Sequence, residues 1–463
     1  MELLIPIAAA VLAVWLVWFA VRGSLIAGCL AYLLVASCFG YPFLHFDLGP
    51  TVVTLDRLVI VGLSAAYIVQ RALRRTDPKT LETIDKLLLA LLAVLTFSTL
   101  THDWHVGPGC DAPPLWRLAT GFMMPGIIYW IARQSWLIER RVTLVHGALA
   151  CFGVYLAATG LAEVTHQWWL VFPKYIADPA VGLHFGRARG PMVQAVSYGL
   201  FLGINMLAAF VWRSRWNRTG QIFWLIVIAS ELAALACTYT RSIWIGTALA
   251  IVVALALTLR GIWRPIVLGA LVSSALVMSV VQLDSLTNLQ REGSATEART
   301  SADMRASFAY VSWQMFLDRP ILGFGFGQFY REKLPYLSDR STPLQLELIR
   351  DFIHHNTYLS LLTETGLVGL GLYLAILIAW ARRGWRLARS DNPAWMRAHG
   401  VLLLGALATY VVQMMFHEVS YTTLDNSLLF LLAGIAVGLG SASKRPETAE
   451  SASHRELAAA CPV

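Results

Sequence analysis

Apolar runs long enough to cross a lipid bilayer recur along almost the whole chain, and they limit the folds open to it. A membrane-spanning helix needs about 20 predominantly apolar residues. Only 14% of the residues are charged and 57% are hydrophobic, which is unusual for a soluble domain. We therefore predict an all-α polytopic membrane protein with about 12–13 transmembrane helices. The candidate runs are 3–21, 25–43, 51–70, 84–101, 118–132, 142–161, 191–211, 220–237, 243–259, 263–282, 356–380, 400–417 and 424–440.

Positively charged residues are distributed unevenly between the connecting loops. Lys and Arg concentrate in alternate loops, which together with Arg22 and the C-terminal tail hold more than half of the 36 cations. Loops of this kind face the cytoplasm. The formal net charge of +8 follows from this arrangement and calls for no nucleic-acid partner. The cation-rich loops follow the runs 51–70, 118–132, 191–211, 243–259 and 356–380.

The opposite, outer side then receives the loops 102–117, 162–190 and 238–241 and a long loop, 283–354. This pattern predicts four regions along the chain. They are transmembrane helices at 1–282, the long outer loop at 283–354, C-terminal transmembrane helices at 355–440 and a disordered cytoplasmic tail at 441–463.

The long loop carries nearly equal numbers of cations and anions. Its segment 303–318 has apolar residues at helical spacing and predicts an amphipathic helix, and 343–353 is a second amphipathic candidate. Between them, the glycine-aromatic segment 323–327 resembles a GxGxxG motif only superficially, since no strand and helix flank it. We expect a tight turn against the bilayer interface there, in a loop that covers an outward-facing cavity as a lid.

The segment 354–366 places polar groups at the start of an apolar helix. His355 is the candidate general base, His354 is an alternative, and both could instead belong to a helix cap in which Asn356 is the N-cap. Glu364 lies about two turns further on, where an ionisable group is costly unless it has a partner or a task. It could orient the histidine, balance an arginine or form a structural salt bridge.

Three arginines on the predicted outer side oppose the cytoplasmic bias of the cations: Arg189, Arg241 and Arg305. Guanidinium groups bind phosphate oxygens bidentately and keep their charge. If the three converge, they would hold a diphosphate and stabilise it as a leaving group. The alternative is that each pairs with a nearby carboxylate or a lipid headgroup.

Other polar clusters give weaker indications. The residues His102, Asp103 and His105 with Cys110 could be drawn as a metal site, but their spacing matches no usual motif, so we predict no metal and no cofactor. No CxxC spacing occurs among the six cysteines. His417 and Glu418 either line the same cavity as His355 or form a packed polar pair.

Several segments together resemble the O-antigen ligase family, which includes O-antigen and exopolysaccharide polymerases. The first is the pattern formed by His355, Asn356, Tyr358, Leu359, Glu364 and Gly366 at the opening of a membrane helix. The others are Arg189-Gly190-Pro191 before a span, Thr238-Tyr239-Thr240-Arg241, and Arg305 followed by Pro320-Ile321-Leu322-Gly323-Phe324-Gly325. Thr240 stands where the family has serine.

The resemblance implies a multi-pass glycosyltransferase of the bacterial inner membrane with an active site that faces the periplasm. It would move a glycan from an undecaprenyl-diphosphate carrier to an acceptor sugar, without a metal ion and with inversion. Its catalytic residues would be His355 and Glu364, with Arg189, Arg241 and Arg305 on the diphosphate and His354, Asn356 and Tyr358 in support. We therefore predict a ligase of the O-antigen ligase type with lipid A-core as the acceptor. The alternative within the family is a polymerase of O-antigen, capsule or exopolysaccharide repeats, and the second alternative, of another class, is a membrane transporter or flippase.

Overall fold

The structure is a computed structural model that describes residues 17–48, 51–104, 113–259, 261–267, 269, 295–389 and 391–442. Helices dominate it. In chain order they are α1 Leu25–Cys38, α2 Leu55–Ala72, α3 Thr83–Thr101, α4 Pro114–Leu118, α5 Met124–Arg133, α6 Glu139–Val164, α7 Ala195–Trp212, α8 Arg218–Ala236, α9 Arg241–Thr258, α10 Ala295–Asp318, α11 Phe329–Glu332, α12 Thr357–Arg389, α13 Ala394–Met414 and α14 Thr423–Ala442.

Eight helices in the described ranges are long and apolar enough to cross a membrane: α3, α6, α7, α8, α9, α12, α13 and α14. The 14 residues of α1 make a shorter apolar helix. The predicted polytopic, helical membrane fold is thereby confirmed. Two predicted runs, 3–21 and 263–282, and the predicted disordered tail lie wholly or mostly outside the described residues, so the total of 12–13 spans stays a prediction.

Two predicted spans have different bounds near the N-terminus. The run 25–43 ends as a helix at Cys38, and the run 51–70 begins with a strand rather than with helix. The strands β1 (His45–Leu48) and β2 (Thr51–Thr54) pair antiparallel, with His45 opposite Thr54. The residues Thr, Val and Val of β2 are apolar enough to extend a hydropathy run, but their β-branched side chains favour a strand.

The helices differ strongly in how much of their surface the protein buries. In the apolar windows of α7 and α14, 89% and 83% of the residues are buried, whereas the corresponding shares in α8 and α9 are 28% and 33%. The first two are therefore central helices, and the exposed apolar side chains of the others are suited to contact lipid. Small residues allow the close packing, since a Cβ on Gly434 of α14 would lie 2.4 Å from the carbonyl oxygen of Tyr129 in α5.

The predicted run 118–132 is an interrupted helix. A π-helical turn, Ala119–Met123, separates α4 from α5. The carbonyl oxygen of Gly121 in this turn accepts a hydrogen bond of 2.7 Å from Asn426 Nδ2 of α14. Short π-helical turns are frequent at functional sites, and here Arg117 lies two residues before the first residue of the turn, Ala119.

The long loop 283–354, described from residue 295, has a hydrophobic core of its own. The predicted amphipathic helix at 303–318 is the C-terminal part of α10, and it buries Phe308, Val311 and Met315. Leu346 and Ile349 join this core from a 3-10 turn at Leu346–Ile349, within the second predicted amphipathic segment. The core anchors the loop as a folded unit.

Helix α12 is interrupted at Gly366, whose φ of 61° and ψ of −159° lie outside the helical region. The backbone of residues 320–325 fills the gap: Leu367 N donates to Pro320 O at 2.9 Å, and Gly325 N donates to Glu364 O at 2.9 Å. The glycine-aromatic segment is therefore a tight turn, as predicted, and it packs against α12; its position at the bilayer interface stays a prediction. Backbone groups freed by a helix break need partners, and this loop supplies them.

Candidate active site

His355 lies in the short connection between the loop core and α12, and hydrogen bonds fix the residues that follow it. Asn356 Oδ1 accepts from Leu359 N at 3.0 Å, so Asn356 does cap the helix, while its Nδ2 donates to Met415 O at 2.8 Å. Thr357 Oγ1 donates to His417 O at 2.8 Å and accepts from Val419 N at 3.0 Å. The start of α12 is thus clamped to the segment 415–419.

The adjacent histidines have different environments. His354 is buried, its Nε2 lies 2.7 Å from Ser312 Oγ of α10, and its ring packs on Phe308 and Phe329 with centroid distances of 5.4 and 4.3 Å. Burial, followed by the charges nearby, lowers the pKa of His354 well below its usual value. This residue ties the loop core to the start of α12. Of the two adjacent histidines, only His355 presents an exposed imidazole.

The surroundings of His355 favour its neutral form. The protein around the ring lowers its pKa, the cations Arg305 and Lys333 lower it further, and the carboxylate of Glu418 opposes them. His417 is a neighbour whose pKa falls to about 3, mainly through burial and then through His355 and Arg305. A neutral, accessible imidazole has the state that a general base requires.

Arg305 lies near His355, and Arg241 begins the helix that contacts the neighbouring His417 through Ser242. Arg305 is exposed on α10, with its guanidinium carbon 5.6 Å from the centroid of the Phe416 ring. Arg241 is exposed at the first position of α9, directly before Ser242, whose Oγ lies 3.4 Å from His417 Nε2. The structure therefore brings both arginines to the segment that clamps α12.

Arg189 has a different environment, because its guanidinium is already bonded within the protein. It is fully buried and donates from Nε to Glu163 Oε1 at 3.2 Å. Its other donors reach the carbonyl oxygens of Val181, Ile176 and Asp178 at 2.5–3.0 Å. These bonds hold the loop 176–190 against α6, so Arg189 organises that loop instead of presenting a free guanidinium.

Glu364 is 2% exposed, and its partner is Arg117, a residue that the sequence analysis did not single out. Arg117 Nη1 donates to both carboxylate oxygens of Glu364, at 2.8 and 2.7 Å. Its Nη2 donates to Ser360 Oγ at 2.9 Å and its Nε to Ser420 Oγ at 2.6 Å. Both carboxylate oxygens of Glu364 thus bind Arg117, so Glu364 balances the charge of an arginine, which is one of the roles that the sequence suggested for it.

A second carboxylate completes this buried cluster. Glu418 Oε1 lies 3.4 Å from Arg117 Nη2 and accepts hydrogen bonds from Ser420 N and Oγ, at 3.1 and 2.6 Å. The Arg117 guanidinium is also covered by the rings of Phe326 and Tyr421, at 4.5 and 4.7 Å. Two carboxylates therefore share one guanidinium in this cluster.

A signal for Arg117 is present in the sequence. It is a cation on the predicted outer side, placed directly before the apolar run 118–132, and so it opposes the cytoplasmic bias as Arg241 does. Of the residues proposed above for a metal site, Asp103 pairs with Arg331 at 2.8 Å, and His105 and Cys110 are not described. Within the described residues, no three His, Cys, Asp or Glu side chains are grouped as metal ligands.

The match to a known family covers this region. Residues 224–374 match the family model for O-antigen ligase, and the match contains Arg241, Arg305, His355 and Glu364 but not Arg189. No curated protein matches the chain. The chain therefore carries, over residues 224–374, a domain of the O-antigen ligase and polymerase superfamily.

Proposed function

We propose that the chain is a periplasmic-face glycosyltransferase of the O-antigen ligase type, which moves a glycan from undecaprenyl diphosphate to a sugar hydroxyl of lipid A-core. The observation that carries the proposal is the accessible His355, held in its neutral form beside the exposed Arg305 within the matched domain. The reaction needs a base for the acceptor and cations for the diphosphate, and both kinds of group are present at the start of α12.

His355 accepts the proton of the acceptor hydroxyl while the acceptor oxygen attacks the anomeric carbon of the donor sugar. The bond between that carbon and the diphosphate oxygen breaks, and its electron pair leaves with undecaprenyl diphosphate. Attack from the side opposite the diphosphate inverts the anomeric configuration. Arg305 and Arg241 stabilise the negative charge of the leaving group, so this route needs no metal ion.

The residues around His355 have supporting tasks in this mechanism. Asn356 caps α12, and Tyr358 donates from its hydroxyl to Val411 O at 3.0 Å, which joins α12 to α13. His354 is the weaker candidate for the base, because Ser312 and two aromatic rings enclose it. Arg189 is assigned to loop structure and not to the diphosphate, because its own protein carbonyls and Glu163 bind it.

The experiment that tests the proposal is glycan transfer by purified protein reconstituted with an undecaprenyl-diphosphate glycan and lipid A-core. We expect His355→Ala to lower the rate at least about 100-fold, the usual scale for a general base. Arg305→Ala and Arg241→Ala should raise the KM of the donor and lower kcat. Full transfer by His355→Ala, or a strict requirement for a divalent cation, would contradict the mechanism.

A polymerase of O-antigen, capsule or exopolysaccharide repeats is the second candidate, because the matched superfamily includes such enzymes and the same base and cations serve both reactions. Deletion of the gene distinguishes the two. Loss of a ligase leaves polymer on the lipid carrier, whereas loss of a polymerase leaves single repeats there.

A transporter or flippase is less well supported. Discontinuous helices mark the substrate sites of many transporters, and α12 is discontinuous at Gly366. However, backbone of residues 320–325 occupies that break, so the freed groups bind protein instead of lining a path for substrate.

A further inference from the structure

Glu418 is a buried carboxylate in the connection between α13 and α14. It is 7% exposed, and while its Oε1 accepts hydrogen bonds from Ser420 and contacts Arg117, its Oε2 has no hydrogen-bond partner among the described residues. A buried carboxylate oxygen without a donor is costly. Such an atom in a native structure needs a reason, and a proton-bearing group that reaches it during the reaction would supply one.

The backbone of the connection between α13 and α14 places Glu418 beside His355. The residues on either side of Glu418 both bind the hydroxyl of Thr357, since Thr357 Oγ1 donates to His417 O and accepts from Val419 N. Thr357 is two residues beyond His355. Asn356 Nδ2 adds a third bond, to Met415 O at 2.8 Å. The two segments are therefore joined by three hydrogen bonds within a few residues of both side chains.

Arg117 and Glu364 fix the carboxylate from the other side. Arg117 Nη2 contacts Glu418 Oε1 at 3.4 Å, while its Nη1 is held by both oxygens of Glu364. Arg117 cannot move toward Glu418 without leaving Glu364, and the rings of Phe326 and Tyr421 cover it. These contacts fix the Glu418 carboxylate in the cluster, on the side of the start of α12 where His355 gains a proton in the proposed reaction.

We infer that Glu418 supports the transfer reaction through His355: its carboxylate balances the positive charge that the imidazole gains with the acceptor proton. Glu364 and Arg117 act one step further away, by holding Glu418. This inference rests on the proposed role of His355 as the base. No atom is transferred to Glu418, since the proton stays on the imidazole until the product leaves.

The charges that face His355 explain why such a carboxylate is needed. Arg305 approaches from α10, Lys333 from the segment after α11, and the rings of His354 and His417 from the two flanking segments. The cations oppose protonation of His355, and Glu418 is the group that favours it. Without Glu418, the imidazole would be a weaker base and its protonated form would lie among cations alone.

The test compares Glu418→Gln with Glu364→Gln, two variants that remove the same charge from the same cluster. Each leaves Arg117 with one carboxylate partner, so both variants should fold. The readout is the pKa of His355, obtained from the pH dependence of its carbethoxylation by diethyl pyrocarbonate, quantified at that residue by peptide mass spectrometry. This measurement needs no substrate.

We expect the His355 pKa to fall by at least about half a unit in Glu418→Gln and to stay near the wild-type value in Glu364→Gln. In Glu418→Gln, the acid limb of the pH–rate profile for transfer should move to lower pH by the same amount, and kcat should fall about 10- to 100-fold. Glu418→Asp, which keeps the carboxylate, should leave the acid limb of the pH–rate profile at its wild-type position.

Equal His355 pKa values in wild type and Glu418→Gln would overturn the inference, as would equal shifts in Glu418→Gln and Glu364→Gln, which would indicate a purely structural cluster. Failure of the proposed function has a different signature. In that case the His355 pKa would shift in Glu418→Gln while His355→Ala retained full transfer.

Discussion

Gly366 offers a sharp test of the architecture, because its replacement by alanine should disrupt the junction of α12 with the long loop. Its φ of 61° and ψ of −159° belong to a backbone region that is essentially restricted to glycine. A Cβ there would lie 2.3 Å from the carbonyl oxygen and 2.4 Å from the carbonyl carbon of Ile321, and 2.7 Å from Leu322 N. These are backbone atoms, which cannot rotate away as a flexible side chain would.

The expected cost has two parts. Holding alanine in this conformation costs about 1–3 kcal/mol. The contact with the Ile321 backbone also pushes the loop away, which weakens hydrogen bonds from Phe324 N to Thr363 O and from Gly325 N to Glu364 O, each 2.9 Å long, together with those from Leu367 N and Val368 N. The net cost of losing each hydrogen bond is about 0.5–1.5 kcal/mol. We expect Gly366→Ala to lower stability by several kcal/mol.

Gly371 is a matched control in the same helix, since a Cβ there would meet no heavy atom within 4 Å. Alanine is favoured over glycine inside a helix by up to about 1 kcal/mol, so Gly371→Ala should unfold at or slightly above the wild-type temperature. Thermal unfolding of purified protein in one detergent measures both variants. Equal midpoints for Gly366→Ala and Gly371→Ala would refute the assigned break in α12.

Three further predictions concern the charged residues. Arg117→Ala leaves two buried carboxylates without their cation and should destabilise the protein by about 3–5 kcal/mol. Adding Glu364→Ala to this variant should raise its thermal midpoint part of the way back to the wild-type value, and no such increase would contradict the pairing of Arg117 with Glu364. Because the pKa of His355 is lowered and its neutral form is the active one, the transfer rate at pH 6.5 should exceed half of its plateau value, and the rate should fall further in more acidic buffer. A pH–rate profile whose half-maximal point lies above pH 6.5 would be inconsistent with a lowered pKa of His355. Arg189→Lys should lower the thermal midpoint with little effect on the KM of the donor. Arg305→Lys should raise that KM and leave the midpoint nearly unchanged. The reverse pattern would indicate that Arg189 binds the diphosphate.

The sequence predicts the features of this protein that depend on local composition. Apolar runs indicate most of the membrane helices, and helical spacing indicates the buried face of α10 with Phe308, Val311 and Met315. The motif around His355 identifies the domain, which the family match confirms. Asn356 also caps α12, as one interpretation of the segment predicted, because capping depends on residues three positions apart.

Features that depend on distant contacts escape the same reasoning. Arg117 and Glu364 are 247 positions apart, and no periodicity relates them. The break at Gly366 escapes because hydropathy carries no information on φ, and Leu and Val continue the apolar run through it. The outer position of Arg189 suggested an anion ligand, but its partner Glu163 lies near the C-terminal end of α6, and only the packing of the loop against that helix reveals the pair.

The filled break in α12 constrains the order in which the protein assembles. In lipid, a helix interrupted at Gly366 would leave several amide and carbonyl groups without partners, at a cost of several kcal/mol for each group. The partners belong to residues 320–325, which precede the helix in the chain and lie outside the apolar runs. The interrupted form is therefore stable only after the loop has docked, so insertion of the helix and completion of the active site are separate steps in the maturation of this protein.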